Sequence, residues 1–286
     1  MGFQGLRRLT ASFILTAIIL FSLASILAHP TPASEEDKIG VAVTIPPLAK
    51  LVEEVGGERV RVFVLIPPGA DPRTYELKPG QLEMLGKVKV FVRVGSGLCF
   101  ENELTNRLMG NAGGVLLVNA SEGIKVVGGD PHVWLSPRNA IIMVENIYRG
   151  LAEADPEGQA YYAQNKEKFQ EKLLELDREI VRILSKAENR RFIVYHPAWG
   201  YFARDYGLTQ IPIEREGKEP TMKSLIELVE EARKHHVKLV FASPEFNPKV
   251  AELVAREIEG RTVYLSPLDQ NYVENLRRAA LEIGRG

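Results

Sequence analysis

Two histidines carry the clearest chemical signal in this 286-residue chain, which contains five in all. His132 lies in Asp130-Pro131-His132-Val133-Trp134-Leu135-Ser136-Pro137, and His196 lies in Tyr195-His196-Pro197-Ala198-Trp199-Gly200-Tyr201-Phe202. Proline flanks each of them. Proline fixes its own φ and biases the preceding residue toward extended geometry, so a side chain beside it is held in place, as a metal ligand must be. Neutral imidazole suits zinc, and also copper, iron and nickel. The pattern offers one shared metal site, against the alternative of two histidines hydrogen-bonded in separate cores. The single cysteine, Cys99, rules out an intramolecular disulfide framework and is too little for a thiolate zinc site. It reads as a small buried hydrophobe.

Other classes of chemistry fit less well. His196 near Ser266 could be imagined as base and nucleophile. No Gly-x-Ser-x-Gly elbow surrounds a serine, no third orienting carboxylate is evident, and no Walker or Rossmann phosphate loop is present. No enzymatic activity is expected. Geometry separates the two classes: an enzyme needs an oxyanion pocket beside Ser266, whereas a binder needs His132 and His196 within about 3–4 Å of each other. The net charge is -1 with no long basic run, which argues against a broad nucleic-acid surface. His235 and His236 end a basic helix terminus, where they complement the macrodipole. Trp134 and Trp199 are expected to pack beside the histidines. Tyr75 and Glu101 are expected to steady the surrounding loops by hydrogen bonding.

The elements that must hold these residues alternate in type. Hydrophobic residues make up 45% of the chain, enough for one large core or two moderate ones. Strands are expected at 39–43, 60–64, 88–94 and 115–118, with a helix at 46–55 closed by Gly56-Gly57. Asp155-Pro156-Glu157 reads as a helix start, with Asp as N-cap and Pro at the first position. Apolar residues then recur at helical spacing from Tyr162 to Ile183, predicting a helix of roughly 30 residues, about 45 Å long, to residue 187. Strands resume at 192–195, 208–213, 237–242 and 262–265, with helices centred on 225–232, 250–257 and 273–283. No internal sequence repeat is evident. The expected fold is α/β: two βα lobes with parallel sheets, at 38–150 and 190–286, joined by one long connecting helix at 155–187. Ligands in such sheets bind beyond the carboxyl ends of strands, where His196, Ser243-Pro244-Glu245 and Ser266-Pro267-Leu268-Asp269 all fall.

The amino terminus reads as a targeting segment. Arg7 and Arg8 precede an apolar run at 11–28, followed by His29-Pro30-Thr31-Pro32-Ala33-Ser34 and an acidic patch. Residues 1–33 are read as a signal peptide with a short tether reaching to 37. The run is near the lower limit for a membrane span, so an uncleaved anchor through residues 7–28 is the second reading. No cysteine directly follows the run, so a lipid-modified cysteine anchor is not available. Either way the folded part is expected in the periplasm or outside the cell.

Five short segments give the chain a family resemblance from residue 39 to its end. They are Pro67-Pro68-Gly69-Ala70-Asp71-Pro72-Arg73-Thr74-Tyr75-Glu76, Gly97-Leu98-Cys99-Phe100-Glu101, the two histidine segments, and Gly217-Lys218-Glu219-Pro220-Thr221. In order and spacing the chain resembles the solute-binding proteins of zinc and manganese ABC importers, the TroA-like and ZnuA-like family. The resemblance implies two α/β lobes joined by one long helix, a zinc or manganese ion carried between them, and a membrane permease as partner. A monomer is expected.

The resemblance implies four metal-ligand positions, and two of them are altered. His132 and His196 match. The first-lobe Asp-Pro-His motif reads Asp71-Pro72-Arg73 here, and the last position reads Ser266-Pro267-Leu268 in place of Asp-Pro-Leu. The family's His-rich loop is missing from 111–129. Arginine has no lone pair and stays charged. At about 5 Å from a dication and an effective dielectric near 20, it would cost roughly 6–7 kcal/mol of raw Coulomb repulsion. Arg73 is therefore expected to swing toward Glu76 or another acid. Asp269 is the expected third ligand, supplying the missing carboxylate if its loop is shifted, with water as the alternative. Arg73, Ser266 and Glu245 are the further candidates for ligand or gate, with Glu245 and Glu214 as weaker substitutes for the missing carboxylate. One alternative reading keeps the importer role but gives Arg73 an anionic ligand or metal chelate. Another makes the protein a metal chaperone, sensor or surface protein.

Overall fold

Alternating strand-forming and helix-forming segments build two parallel sheets here. The computed structural model describes residues 38–98, 100–102, 104–105, 114–215 and 217–285. The expected signal peptide, the tether and Cys99 lie outside the described residues. The first sheet contains β1 (Ile39–Val43), β2 (Val60–Val64), β3 (Val90–Arg93) and β4 (Leu116–Asn119), in the order β2-β1-β3-β4. All its pairs are parallel, with Ile39 opposite Val60 and Val41 opposite Val90. The second sheet contains β5 (Arg191–Val194), β6 (Thr209–Pro212), β7 (Leu239–Ala242) and β8 (Arg261–Tyr264), again parallel, in the order β6-β5-β7-β8. The two halves share a strand order although their sequences do not repeat. The central strands β1, β3, β5 and β7 are rich in Val, Ile, Phe and Ala because both faces of such a sheet are covered.

The helices are α1 (Pro46–Gly56), α2 (Pro79–Leu85), α3 (Pro137–Ala154), α4 (Gln159–Leu184), α5 (Gly200–Tyr206), α6 (Met222–Lys234), α7 (Pro248–Glu257) and α8 (Tyr272–Gly284). Their starts follow local chemistry. Proline opens α1, α2, α3 and α7, where its missing N–H costs nothing. The side chains of Ser136, Thr221 and Asn247 accept from the first-turn amides of Asn139, Ser224 and Lys249.

The long helix differs from expectation at its start. Pro156–Gly158 forms a 3-10 turn, and α4 begins at Gln159. The Asp155 side chain makes no N-cap hydrogen bond. Its carboxylate accepts from Arg59 Nε and Nη2 at 2.9 and 3.0 Å and from the Tyr162 hydroxyl at 2.6 Å. A guanidinium fork makes shorter and stronger bonds than a lone backbone amide, so the tertiary partner wins. Burial raises the Asp155 pKa, but the bonds from Tyr162 and Arg59 outweigh it and hold the carboxyl below its ordinary value.

α4 has 26 residues and spans about 39 Å. It buries Tyr162, Phe169, Leu173, Leu176, Ile180 and Leu184 along one stripe. That stripe packs on α1 and α3 from the first half and on α5 and α8 from the second. A single hydrophobic core therefore runs from Val41 and Ile147 through α4 to Phe241 and Leu276. Smaller clusters lie elsewhere, Leu85, Phe91 and Leu104 in the first half and Ala232, Val240 and Val254 in the second. Among the described residues no helix is long and apolar enough to cross a membrane.

Candidate metal centre

Parallel pairing brings the second-half residues of the site together. Hydrogen bonding between β5 and β6 continues past both strands, with Ile213 N donating to Val194 O and Glu214 N donating to Tyr195 O, each at 2.9 Å. This sets Glu214 alongside His196, whose Nδ1 lies 3.3 Å from Glu214 Oε1. His132 comes from the loop between β4 and a 3-10 turn at Val133–Leu135 that leads into α3. Asp130 holds it twice: Oδ1 accepts from the His132 amide at 2.9 Å and lies 2.7 Å from Nδ1. The second half secures this loop in turn. The Tyr201 hydroxyl donates to Asp130 O at 2.9 Å and accepts from Val127 N at 3.0 Å. Gly200 permits the close approach, since a Cβ there would lie 2.5 Å from Asp130 Oδ2.

The two imidazoles meet across the halves. Their Nε2 atoms are 3.2 Å apart, with ring planes inclined by 74°. Each Nδ1 faces a carboxylate, which favours the Nδ1–H tautomer and leaves the Nε2 lone pairs turned toward each other. An Nε2–H on either ring satisfies this contact as a hydrogen bond, and with both lone pairs free it is matched by a metal ion between the two nitrogens. A tetrahedral site with metal–nitrogen bonds of about 2.0–2.1 Å places its nitrogens about 3.3–3.4 Å apart, close to the separation found. Burial pushes the His196 pKa down to about 3, aided by the fields of His132 and Arg73 against an opposing pull from Asp71. The ring is thus neutral at ordinary pH, as a ligand must be. Trp134 packs edge-on to His132 at 5.2 Å, and Phe246 packs on His196 at 5.0 Å. Trp199 lies deeper, against Phe202 and Phe241.

Arg73 has turned to acids, as its charge requires, though not to Glu76. Its Nε and Nη2 donate to the Asp71 carboxylate at 2.8–3.1 Å, and Nη1 donates to Glu214 Oε1 at 2.7 Å. Burial raises the Asp71 pKa, but the bonds from Arg73 overcome it and lower the net value. An anionic ligand at Arg73 would have to displace both carboxylates.

Ser266, Glu245 and Asp269 are engaged separately. The Ser266 hydroxyl donates to Glu245 and accepts from Leu268 N at 2.9 Å, and the Ser243 hydroxyl also donates to Glu245. Ser266 is therefore paired with a carboxylate and not with His196. Asp269 Oδ1 accepts from Asn271 N at 2.8 Å, just ahead of α8. Among the described residues no group of three or more His, Cys, Asp or Glu side chains is gathered into a ready-made metal cluster. The structure brings His132 and His196 together and leaves Asp269 on the Asn271 amide. His235 pairs with Glu231 at 2.9 Å at the end of α6. Glu101 accepts from Val94 N and Gly95 N just beyond β3, and the Tyr75 hydroxyl donates to Gln81. Sequence reasoning assigned no role to Asp130, Asp71 or Phe246. Asp130, two residues before His132, carried a readable turn signal; Phe246 carried none.

A family profile described as the periplasmic component A of the zinc-uptake complex, ZnuA, matches residues 41–286. The chain belongs to that family. Its members are solute-binding components of zinc-uptake transporters, not enzymes. The high-affinity zinc uptake system protein ZnuA of Bacillus subtilis is 31% identical over 257 residues, covering 82% of this chain and 80% of the relative. A putative metal-binding protein of Treponema pallidum is 29% identical over 95% of this chain and 92% of its own length. A crystal structure of ZnuA superposes with a TM-score of 0.83 at 37% identity, over 87% of this chain and 99% of the other. The periplasmic zinc-binding protein TroA of Treponema pallidum shares the fold with a TM-score of 0.78 at 23% identity, over 87% of this chain and 98% of its own. The expected α/β fold with two parallel sheets agrees with these neighbours.

Proposed function

We propose that the protein captures a divalent transition metal, zinc foremost, between its two sheets and presents it to an ABC permease. The observation that carries this reading is the pair of carboxylate-backed imidazoles with Nε2 atoms 3.2 Å apart. The local charge supports it. Asp71, Asp130 and Glu214 stand against Arg73, so neutral imidazoles leave a net negative balance that a dication offsets. We assign His132 and His196 as protein ligands and water to the remaining positions, with Asp269 joining only if it releases the Asn271 amide. Manganese is the alternative cargo, but imidazole suits zinc, whereas carboxylate, carbonyl and water suit manganese.

The working parts of this proposal are the lobes at 38–150 and 190–286 about the helix within 155–187. The protein acts as a monomer outside the cytoplasmic membrane, without a nucleic-acid partner. Residues 1–33 serve as a signal peptide with its tether, or residues 7–28 as a retained anchor. The test is isothermal titration of metal-stripped protein with zinc and manganese, beside the His132→Ala variant. Tight zinc binding that vanishes in the variant is the expected result. A wild-type protein that takes up neither metal would sink the reading.

A further inference from the structure

Arg73 stands where the family resemblance implies a histidine ligand, and its contacts do more than neutralise its charge. One edge of the guanidinium donates to Asp71, and Nη1 donates to Glu214. Its face lies over Phe246, 4.9 Å from the ring centroid, and the same ring packs on His196. Asp71 belongs to the first half of the chain, Glu214 and Phe246 to the second. Glu214 is buried, so water competes poorly for its carboxylate, and charge-assisted bonds of this kind are strong. Both carboxylates are thereby turned to Arg73 beside the histidine pair.

We infer that Arg73 is a specificity-determining residue: by holding Asp71 it withholds an oxygen donor and leaves an imidazole pair, its His196 ring backed by Glu214, that favours zinc over manganese. The inference rests on the proposed capture of a metal by His132 and His196. Zinc is satisfied by a few nitrogen ligands and water in tetrahedral geometry. Manganese draws its affinity from carboxylate, carbonyl and water oxygens in six-fold geometry, and loses more when acids are tied up. The positive charge of Arg73 repels both dications alike, so the ratio of the two affinities separates withheld oxygen from simple repulsion.

The experiment is titration of zinc and of manganese into metal-stripped wild type, Arg73→Ala, Arg73→Lys and the double variant Arg73→Ala with Asp71→Asn. The Arg73 side chain is 41% exposed on a loop, so the fold survives its truncation. Arg73→Ala should tighten manganese by about tenfold or more while zinc changes less, narrowing the preference. Arg73→Lys keeps the charge but not the fork, and should narrow it partly. The double variant removes a freed carboxylate and should move the ratio back toward wild type. Equal tightening of both metals in Arg73→Ala, or no change in either, overturns the inference while leaving metal capture standing. Failure of wild type to bind zinc overturns both.

Discussion

His132 and His196 both back Nδ1 against a carboxylate, but those carboxylates are held in different ways. Asp130 lies two residues before His132, accepts from its amide as well as facing its ring at 2.7 Å, and has no other charged partner among the described contacts. Glu214 lies 18 residues beyond His196, approaches it only to 3.3 Å, and is shared with Arg73. The first histidine is oriented by its own segment. The second is oriented by sheet pairing and by a cation from the other half. One half therefore presents a preset ligand, and the other presents a ligand whose support can be traded against Arg73.

The comparison can be broken in several places. Removing either ring should be the largest effect: His132→Ala and His196→Ala should each weaken zinc binding by more than the roughly 10–100-fold expected for an outer partner. A variant that retained tight binding would show that the two rings do not share a metal. Asp130→Asn should come next, losing about 10–100-fold in zinc affinity in a calorimetric titration because the His132 tautomer and orientation are released. Glu214→Gln should cost less, under about tenfold, because its bond to His196 is long and already divided. Equal losses for Asp130→Asn and Glu214→Gln would erase the asymmetry.

A separate effect is on stability. The ordinary His pKa is near 6.5, and folding holds His196 at about 3. The unfolded chain takes up this proton as pH falls below about 6.5, whereas the folded chain stays neutral until about 3, so acid favours unfolding across that window. Melting temperatures of metal-free protein between pH 7 and pH 4 should fall, and His196→Gln should fall less steeply. A variant with the same slope would place the acid sensitivity elsewhere.

Much of this arrangement was legible in the sequence. The short apolar runs and the stripe from Tyr162 to Ile180 are local patterns, and the structure follows them closely, although the proline start read at Asp155-Pro156 becomes a 3-10 turn. The two proline-flanked histidines were legible for the same reason. What local pattern could not supply was the outcome of competition between partners. Asp155 reads as an N-cap until Arg59, 96 residues away, offers it two donors. Arg73 was expected to find an acid, and it finds two: Asp71, two residues away, and Glu214, 141 residues distant and placed by β5–β6 pairing. Asp269 follows the same logic, since a nearby amide occupies the carboxylate that sequence reasoning offered to the metal.

The apolar stripe of α4 has a consequence for how the molecule comes apart. Residues of both sheets and of this helix belong to one continuous core, so neither half can lose its packing without exposing apolar surface of the other. Two sheets with identical strand order resemble two independently melting modules. Their shared spine instead couples them, and heating should yield one cooperative calorimetric transition whose van't Hoff and calorimetric enthalpies agree.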